Sequence, residues 1–382
     1  MSRMKKKGLF SIVSMIFLMV TSLQPVLAES NAELEKRIEA LEKQPSSGSG
    51  LLGQISDRIT LSGAIELDYS YAGDGDLSDN TSNQSSSDLD IGTVELGLEA
   101  DLHEYVSANL LLKGEALDSD DDRIFWDEVF FTIQKEGFPA YFIGGKRGQP
   151  FGMFESLFIN DPITCDLYEV AKTGATFGAT FEPFGIDISA TFYKGEALIE
   201  KVDEAGYGAG RDNTSGYTAS DDVKSYILNM SLSPVENLTL SAYFDSEPGD
   251  GDRNTTAGVS AHYEIAGFIL DGEYIGAINR EKYYTDNQEY KESAWFVALG
   301  YQIMNPLLAA IRYESFDDGQ SGDQDEHLDY RYSLGLTYTL FENDNFACNL
   351  LGEYRKSEYE LSPGGSADDN LNEFFARIAL EF

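Results

Sequence analysis

Residues 328–340 read Leu-Asp-Tyr-Arg-Tyr-Ser-Leu-Gly-Leu-Thr-Tyr-Thr-Leu. Leu328, Tyr330, Tyr332, Leu334, Leu336, Tyr338 and Leu340 occupy one set of alternate positions, and Arg331, Ser333, Thr337 and Thr339 the other. Successive side chains of a β-strand point to opposite faces, so the stretch reads as a strand with one face suited to an apolar medium and one to water. The same pattern closes the chain, where Phe374, Ala376, Ile378, Leu380 and Phe382 oppose Glu373, Arg377 and Glu381. It recurs at Ile59 to Tyr71 against Ser62, Ala64, Glu66 and Asp68, at Val94, Leu96 and Leu98 against Glu95, Glu99 and Asp101, and at Trp295, Val297, Leu299 and Tyr301 against small residues.

From Arg58 onward such segments, each of about ten residues, are separated by connections that are alternately short and long. Short turns fall at residues 102–105, 135–139, 182–185, 233–237, 266–268, 304–306 and 342–345. Long connections fall at 72–87, 117–123, 148–168, 199–222, 247–254, 280–291, 317–326 and 360–369. The series begins and ends on a long connection, which gives an even number of strands, about sixteen, with both ends on the short-turn side. A soluble β-sandwich offers no such rhythm. The expected fold is therefore all-β, a transmembrane antiparallel up-and-down β-barrel over residues 58–382. Tyr69, Tyr71, Tyr193, Phe244, Tyr274 and Tyr338 near strand ends suit interfacial girdles, although aromatic residues favour strands of any kind.

The N-terminal region has a different character. Arg3, Lys5, Lys6 and Lys7 precede an apolar run from Leu9 to Val20 and a Val26-Leu27-Ala28 ending, so residues 1–28 read as a secretory signal peptide cleaved after Ala28. Residues 29–44 place Leu34, Ile38 and Leu41 at four- and three-residue spacing, a short coiled-coil seam. Under two heptads do not hold alone, so this periplasmic helix either bundles with copies of itself, as in a homotrimer, or frays. Residues 45–57, opening with Pro-Ser-Ser-Gly-Ser-Gly, form a flexible linker. The barrel then belongs in a Gram-negative-type outer membrane with both termini periplasmic.

Charge narrows the function classes. The chain has 27 Lys and Arg against 66 Asp and Glu, a formal net charge of -39. Nothing resembles the basic stripe that would displace counterions from a phosphate backbone, which excludes nucleic acid as a partner. The 22 Tyr, 23 Phe and 36 Gly contradict the composition of a disordered acidic chain. His103, His262 and His327 lie in unrelated segments, so no metal or triad spacing emerges and no enzyme or cofactor is expected. Gly144-Gly145-Lys146-Arg147-Gly148 lacks the spacing of a phosphate-binding loop. Cys165 and Cys348 fall in dissimilar contexts, one in a loop and one on a strand, which argues against a disulfide.

Alternation nominates a polar inward face that includes Glu66, Glu95, Glu99, Lys113, Glu115, Glu264, Glu273, Arg312, Glu314, Arg331, Arg355 and Arg377, with Asp68, Asp187, Asp271 and Glu353. A barrel of this size leaves a water-filled lumen. Its mixed charges are suited to orienting dipolar solutes, although most such residues only hydrate a wall. The long connection 148–168 is rich in Phe, Leu and Ile, and apolar loops tend to be buried. It is expected to fold into the lumen and to bring Lys146, Arg147, Glu155, Asp161 and Asp166 to a constriction, with a contact between protomers as the rival reading.

The signal peptide, the Glu/Leu-rich coiled coil, the Ser/Gly tether, the opening strand Arg58-Ile59-Thr60-Leu61-Ser62-Gly63 and the Gly144 to Gly152 turn together resemble the LbtU-type siderophore porin family. The Gly-Lys to Pro-Phe-Gly element is also similar to one in phosphate-selective porins. The resemblance implies an outer-membrane pore for siderophores or ferric siderophores, working by diffusion or facilitated passage. The terminal Phe382 resembles the C-terminal signal read by the barrel-assembly machinery. Two alternatives stay open at this point: a general or phosphate-type anion porin, and a structural barrel tethering the outer membrane to the cell wall.

Overall fold

The computed structural model describes residues 58–73, 85–117, 122–154, 156–205, 221–249, 252–282, 288–319, 327–360 and 370–382. The signal peptide, the coiled-coil seam of Leu34, Ile38 and Leu41, the linker and Glu155 lie outside these residues. The described chain forms sixteen strands: β1 (Ile59–Ala72), β2 (Ser86–His103), β3 (Val106–Glu115), β4 (Arg123–Gln134), β5 (Ala140–Gly148), β6 (Ala171–Phe181), β7 (Ile186–Tyr193), β8 (Ser225–Val235), β9 (Leu238–Glu247), β10 (Asn254–Ile265), β11 (Phe268–Asn279), β12 (Ser293–Met304), β13 (Leu307–Asp317), β14 (His327–Asn343), β15 (Phe346–Glu360) and β16 (Asn370–Glu381). Each pairs antiparallel with its neighbours, and β1 pairs with β16 to close the barrel. Closure removes both sheet edges, the requirement for a sheet in a medium without water. At the seam the Phe382 amide donates to the Gly63 carbonyl at 3.0 Å and the Gly63 amide to the Phe382 carbonyl at 2.8 Å.

The turns fall where the rhythm of the sequence puts them. The turn at Ala266 and Gly267 leaves two residues between its strands, with φ of 51° and 82°. Positive φ at both central residues matches the right-handed twist of the flanking strands, which explains the glycine and makes Ala266 a strained choice.

Outward faces are apolar around the ring: Leu61 is 64% exposed, Ile124 69% and Leu336 56%. Exposure on this scale is stable only against an apolar solvent. No helix among the described residues is long and apolar enough to cross a membrane.

One register shift changes the reading of the opening stretch. In β14 the pairing slips between Leu328 and Tyr330, so two residues oppose one on β15. A bulge of this kind inverts the facing of everything beyond it. Leu328 therefore turns inward and is fully buried, while Tyr332, Leu334, Leu336 and Tyr338 stay on the outer face.

Candidate functional site

The connection from β5 to β6 folds inside the barrel. After Gly148 the chain runs through Phe151, Phe154 and Phe158 to a short helix, α1 (Ile163–Tyr168), and returns at Ala171. Its apolar side chains pack on inward positions that are themselves apolar: Ile275 of β11, Ala294 of β12, Phe316 of β13 and Leu328 of β14. A second cluster seats Leu157 and Phe158 on Phe296, Ala298 and Ala310. Gly335 leaves the room that Phe158 needs, since a Cβ there would stand 2.9 Å from its ring.

Polar groups of the wall hold this segment in place. Glu273 of β11 accepts the Met153 amide at 2.6 Å, the Thr164 hydroxyl at 2.5 Å and the Tyr243 hydroxyl. Glu314 of β13 accepts the Ile163 amide at 2.6 Å, at the first turn of α1. Glu353 of β15 accepts both the amide and the side-chain nitrogen of Asn160 at 2.9 Å. Arg312 donates to the Ser156 hydroxyl and to the Asn160 and Asp161 carbonyls at 3.0–3.1 Å, and its guanidinium lies 4.5 Å from the Phe158 ring centre. Arg312 is also 3.0 Å from Glu314. A loop drawn into a barrel must give its backbone amides new acceptors, and buried carboxylates supply them.

This arrangement divides the nominated inward residues. Glu273, Arg312, Glu314 and Arg331 are 4%, 3%, 0% and 3% exposed, so they lie under the inward segment and do not face open lumen. Alternation gives the face of a residue, and only the loop's position decides whether water reaches it. Asp166 lies 4.0 Å from Arg331, at the margin of the segment. Asp161 reaches beyond the segment: burial raises its carboxyl pKa, Asp166 and Glu169 raise it further, and Arg312 and Lys113 oppose them. Its field thus spans from Arg312 on one wall to Lys113 on another.

The opposite wall, from β15 through β16 and β1 to β4, stays more accessible. Lys113 of β3 is 3.0 Å from Glu115 and 3.8 Å from Glu95. Arg377 of β16 donates to both Asp68 oxygens at 2.7 Å and lies 2.9 Å from Glu66. Arg355 makes the same two-pronged contact with Glu373 at 2.7 and 3.0 Å. A cavity of about 220 Å³ lies between Ile159 and Asn160 of the inward segment and Asp68, Asp88, Asp90 and Arg377 of this wall.

Other expectations are corrected or refined by the geometry. Lys146 pairs with outward-exposed Val129, donates to the Trp126 carbonyl at 2.6 Å, and is not part of the group around Asp161. Arg147, one position on, lies 5.8 Å from the Phe130 ring centre. Glu99 sits on β2 opposite Asn109. Glu264 lies near the turn at Ala266, 3.3 Å from His262, which also contacts Asp271 at 2.6 Å. Tyr193 does not belong to an outer girdle: it points inward, 1% exposed, with its hydroxyl on Asp245 and Glu247. Cys165 and Cys348 are both free thiols.

The sequence reading missed a second inward element. The connection from β7 to β8 carries α2 (Ala197–Glu204), whose Leu198, Ile199 and Val202 are buried in the same core as α1. The signal lay in the wall and not in the helix itself, because inward positions Ile227, Tyr243, Ile275 and Phe316 are apolar where a hydrated wall would be polar.

Comparison with known proteins agrees with this architecture. No family model matches the chain. The UPF0422 protein of Coxiella burnetii is 27% identical over 195 residues, 47% of this chain, and the match spans only 41% of that protein's length. Among solved structures, the anion-selective porin from Comamonas acidovorans has a TM-score of 0.59 at 12% identity, over 85% of this chain and 99% of that one. OmpF of Salmonella typhi, solved with daunomycin, has a TM-score of 0.56 at 13% identity, over 85% and 97%. The outer-membrane channel DcaP of Acinetobacter baumannii has a TM-score of 0.56 at 12% identity, over 84% and 96%. At these identities the likeness is one of fold, and the fold is that of a porin-like outer-membrane channel barrel.

Proposed function

We propose that this chain is a diffusion pore that admits small solutes past the inward segment and prefers cationic, zwitterionic or bulky neutral solutes to anions. The observation that carries this reading is the pairing of the accessible cations. Lys113, Arg355 and Arg377 each sit against carboxylates, while Asp88 and Asp90 add acid at the cavity beside Asn160. A guanidinium already engaged by a carboxylate attracts a passing anion weakly, and the unpaired acid sets the sign of the path. The anion-selective neighbour shares the fold, and selectivity belongs to the residues of the lumen.

Within this reading, siderophores or ferric siderophores are the specific cargo, a choice supported by the family resemblance of the leader, seam, tether and Gly144 to Gly152 turn. Residues 1–28 act as signal peptide, both termini are periplasmic, and Leu34, Ile38 and Leu41 bundle a homotrimer. A trimer form of the Vibrio cholerae outer-membrane protein OmpT, similar in fold at a TM-score of 0.54, makes that assembly reasonable. Liposome swelling with graded neutral sugars, cationic amino acids and ferric chelates tests the cargo. Swelling with cationic solutes and chelates at rates above those of anions of equal size supports it, and exclusion of every chelate removes siderophores from the reading.

A further inference from the structure

The wall of the barrel parts between β4 and β5 on the side of the long connections. The two strands pair from Gln134 and Tyr141, at the short-turn end, up to Val129 and Lys146. Beyond that rung β4 runs on through residues 123–128, and β5 through Arg147 and Gly148. Among the described residues these stretches keep only their other neighbours: β4 pairs with β3 as far as Arg123 and Glu115, and β5 with β6 as far as Gly148 and Ala171.

Two local features spread the strands. β4 carries a bulge, since Leu111 of β3 lies opposite Glu128 and Leu112 opposite Trp126, which leaves Asp127 as the extra residue. β5 bends at Gly145, where φ is 142° and a Cβ would collide with the Val129 carbonyl and with Phe130.

Lys146 shows that the parting goes through the wall. Its register partner Val129 faces outward, yet its ammonium donates to the Trp126 carbonyl at 2.6 Å and lies 5.5 Å from the ring centre of Phe125, which pairs with inward Lys113. A side chain rooted on the outer face approaches an inward ring only where no backbone rung stands between them. An open backbone edge in an apolar medium is costly, and the Lys146 ammonium satisfies one of its acceptors. Both mouths of the gap are apolar, with Ile124, Trp126 and Val129 exposed outside and Phe125 and Phe130 on the inner face.

We propose that this gap is a lateral port, closed by Lys146, through which neutral amphipathic solutes pass between the lumen and the surrounding lipid. The solute class is an apolar chain or ring with one accepting head group: the aromatic mouths take the apolar part, and the head takes the Lys146 ammonium from the Trp126 carbonyl. The inference uses the barrel and its lumen and goes beyond the diffusion-pore reading, since an axial pore needs no opening in its side.

The test follows tryptophan emission of the full-length protein in dioleoylphosphatidylcholine vesicles as 11-bromoundecanol, a neutral quencher of this class, is added. The chain's two tryptophans, Trp126 and Trp295, are replaced by phenylalanine. A single tryptophan is then placed inward at the port, Phe125→Trp, or inward on a closed stretch of wall, Phe375→Trp, a position paired on both sides with Ser70 and Glu353. Barrel assembly is verified by the mobility shift of heated against unheated samples, and Phe130→Trp replaces Phe125→Trp should the latter fail to assemble.

Emission from Phe125→Trp should fall to about half, while that of Phe375→Trp stays within about a tenth of its starting value. Adding Lys146→Ala should deepen the quenching at the port, because a hydrogen bond from a charged group no longer holds it shut. Equal quenching at the two positions, or a response that Lys146→Ala leaves unchanged, overturns the port, and an axial current in planar bilayers then still supports the pore. Quenching as expected with no axial current removes the pore reading and leaves the port.

Discussion

Replacing Glu273 by leucine should release the inward segment without dissolving the barrel. The carboxylate accepts the Met153 amide, the Thr164 hydroxyl and the Tyr243 hydroxyl, all inside the barrel. A hydrogen bond to a charged group contributes about 1.5–3 kcal/mol net, so three would give roughly 5–9 kcal/mol if they added. They do not add, and Glu273 is only 4% exposed, so removing its charge also recovers several kcal/mol of desolvation. A net loss of about 2–4 kcal/mol from the seat of the segment remains. At about 1.4 kcal/mol per factor of ten, the open population of the segment rises about 30- to 1,000-fold.

Cys165 reports that opening directly. It lies in α1, 8% exposed, and burial pushes its thiol well above the usual range, with Asp161, Glu169 and Asp166 adding to the rise. In a Cys348→Ala background a charged maleimide reaches it only when the segment opens, so labelling follows the opening equilibrium. Glu273→Gln, which keeps one acceptor oxygen, should fall between wild type and Glu273→Leu. A labelling rate within threefold of wild type in a correctly assembled Glu273→Leu barrel would refute the latch.

Three further outcomes follow from named contacts. Ala266→Gly, at φ of 51° in the two-residue turn between β10 and β11, should stabilise the barrel by about 0.5–1 kcal/mol, read as a higher temperature for loss of the unheated gel mobility. Arg377→Met leaves Glu66 and Asp68 without their cation, so it should raise cation selectivity in bilayers and weaken the β1–β16 seam. Because these side chains are about 20% exposed, the weakening should be about 1–2 kcal/mol by urea titration, below the range for fully buried pairs. The raised pKa of Asp161 means that it gains its proton before exposed carboxylates as pH falls. Cation preference should thus begin to drop at a higher pH than exposed carboxylates alone would give, and Asp161→Asn should move that onset to lower pH.

How much of this was legible in the sequence depends on the range of the cause. Strand identity and facing are local consequences of a two-residue period, so Tyr332 to Tyr338 and Phe374 to Leu380 could be read directly. Turn chemistry is equally local, as at Ala266 and Gly267. The inward loop was legible from its Phe and Leu content. What escaped was set by contacts more than a hundred residues apart, such as Met153 on Glu273 or Ile163 on Glu314. Alternation marked Glu273, Glu314 and Arg312 as inward, and only the folded loop makes them ligands for backbone amides. The bulge that turns Leu328 inward is likewise invisible to a strict period. The helix α2 was hidden because eight residues with three or four apolar positions do not stand out inside a polar connection.

Reversal potential across a potassium chloride gradient tests the central claim most directly, because it weighs the whole lumen at once. With Lys113, Arg355 and Arg377 engaged by carboxylates and Asp88 and Asp90 added to them, the current should be carried mainly by potassium, and the preference should weaken as salt rises and screens the wall. A reversal potential of the opposite sign, showing chloride as the main carrier, would contradict it.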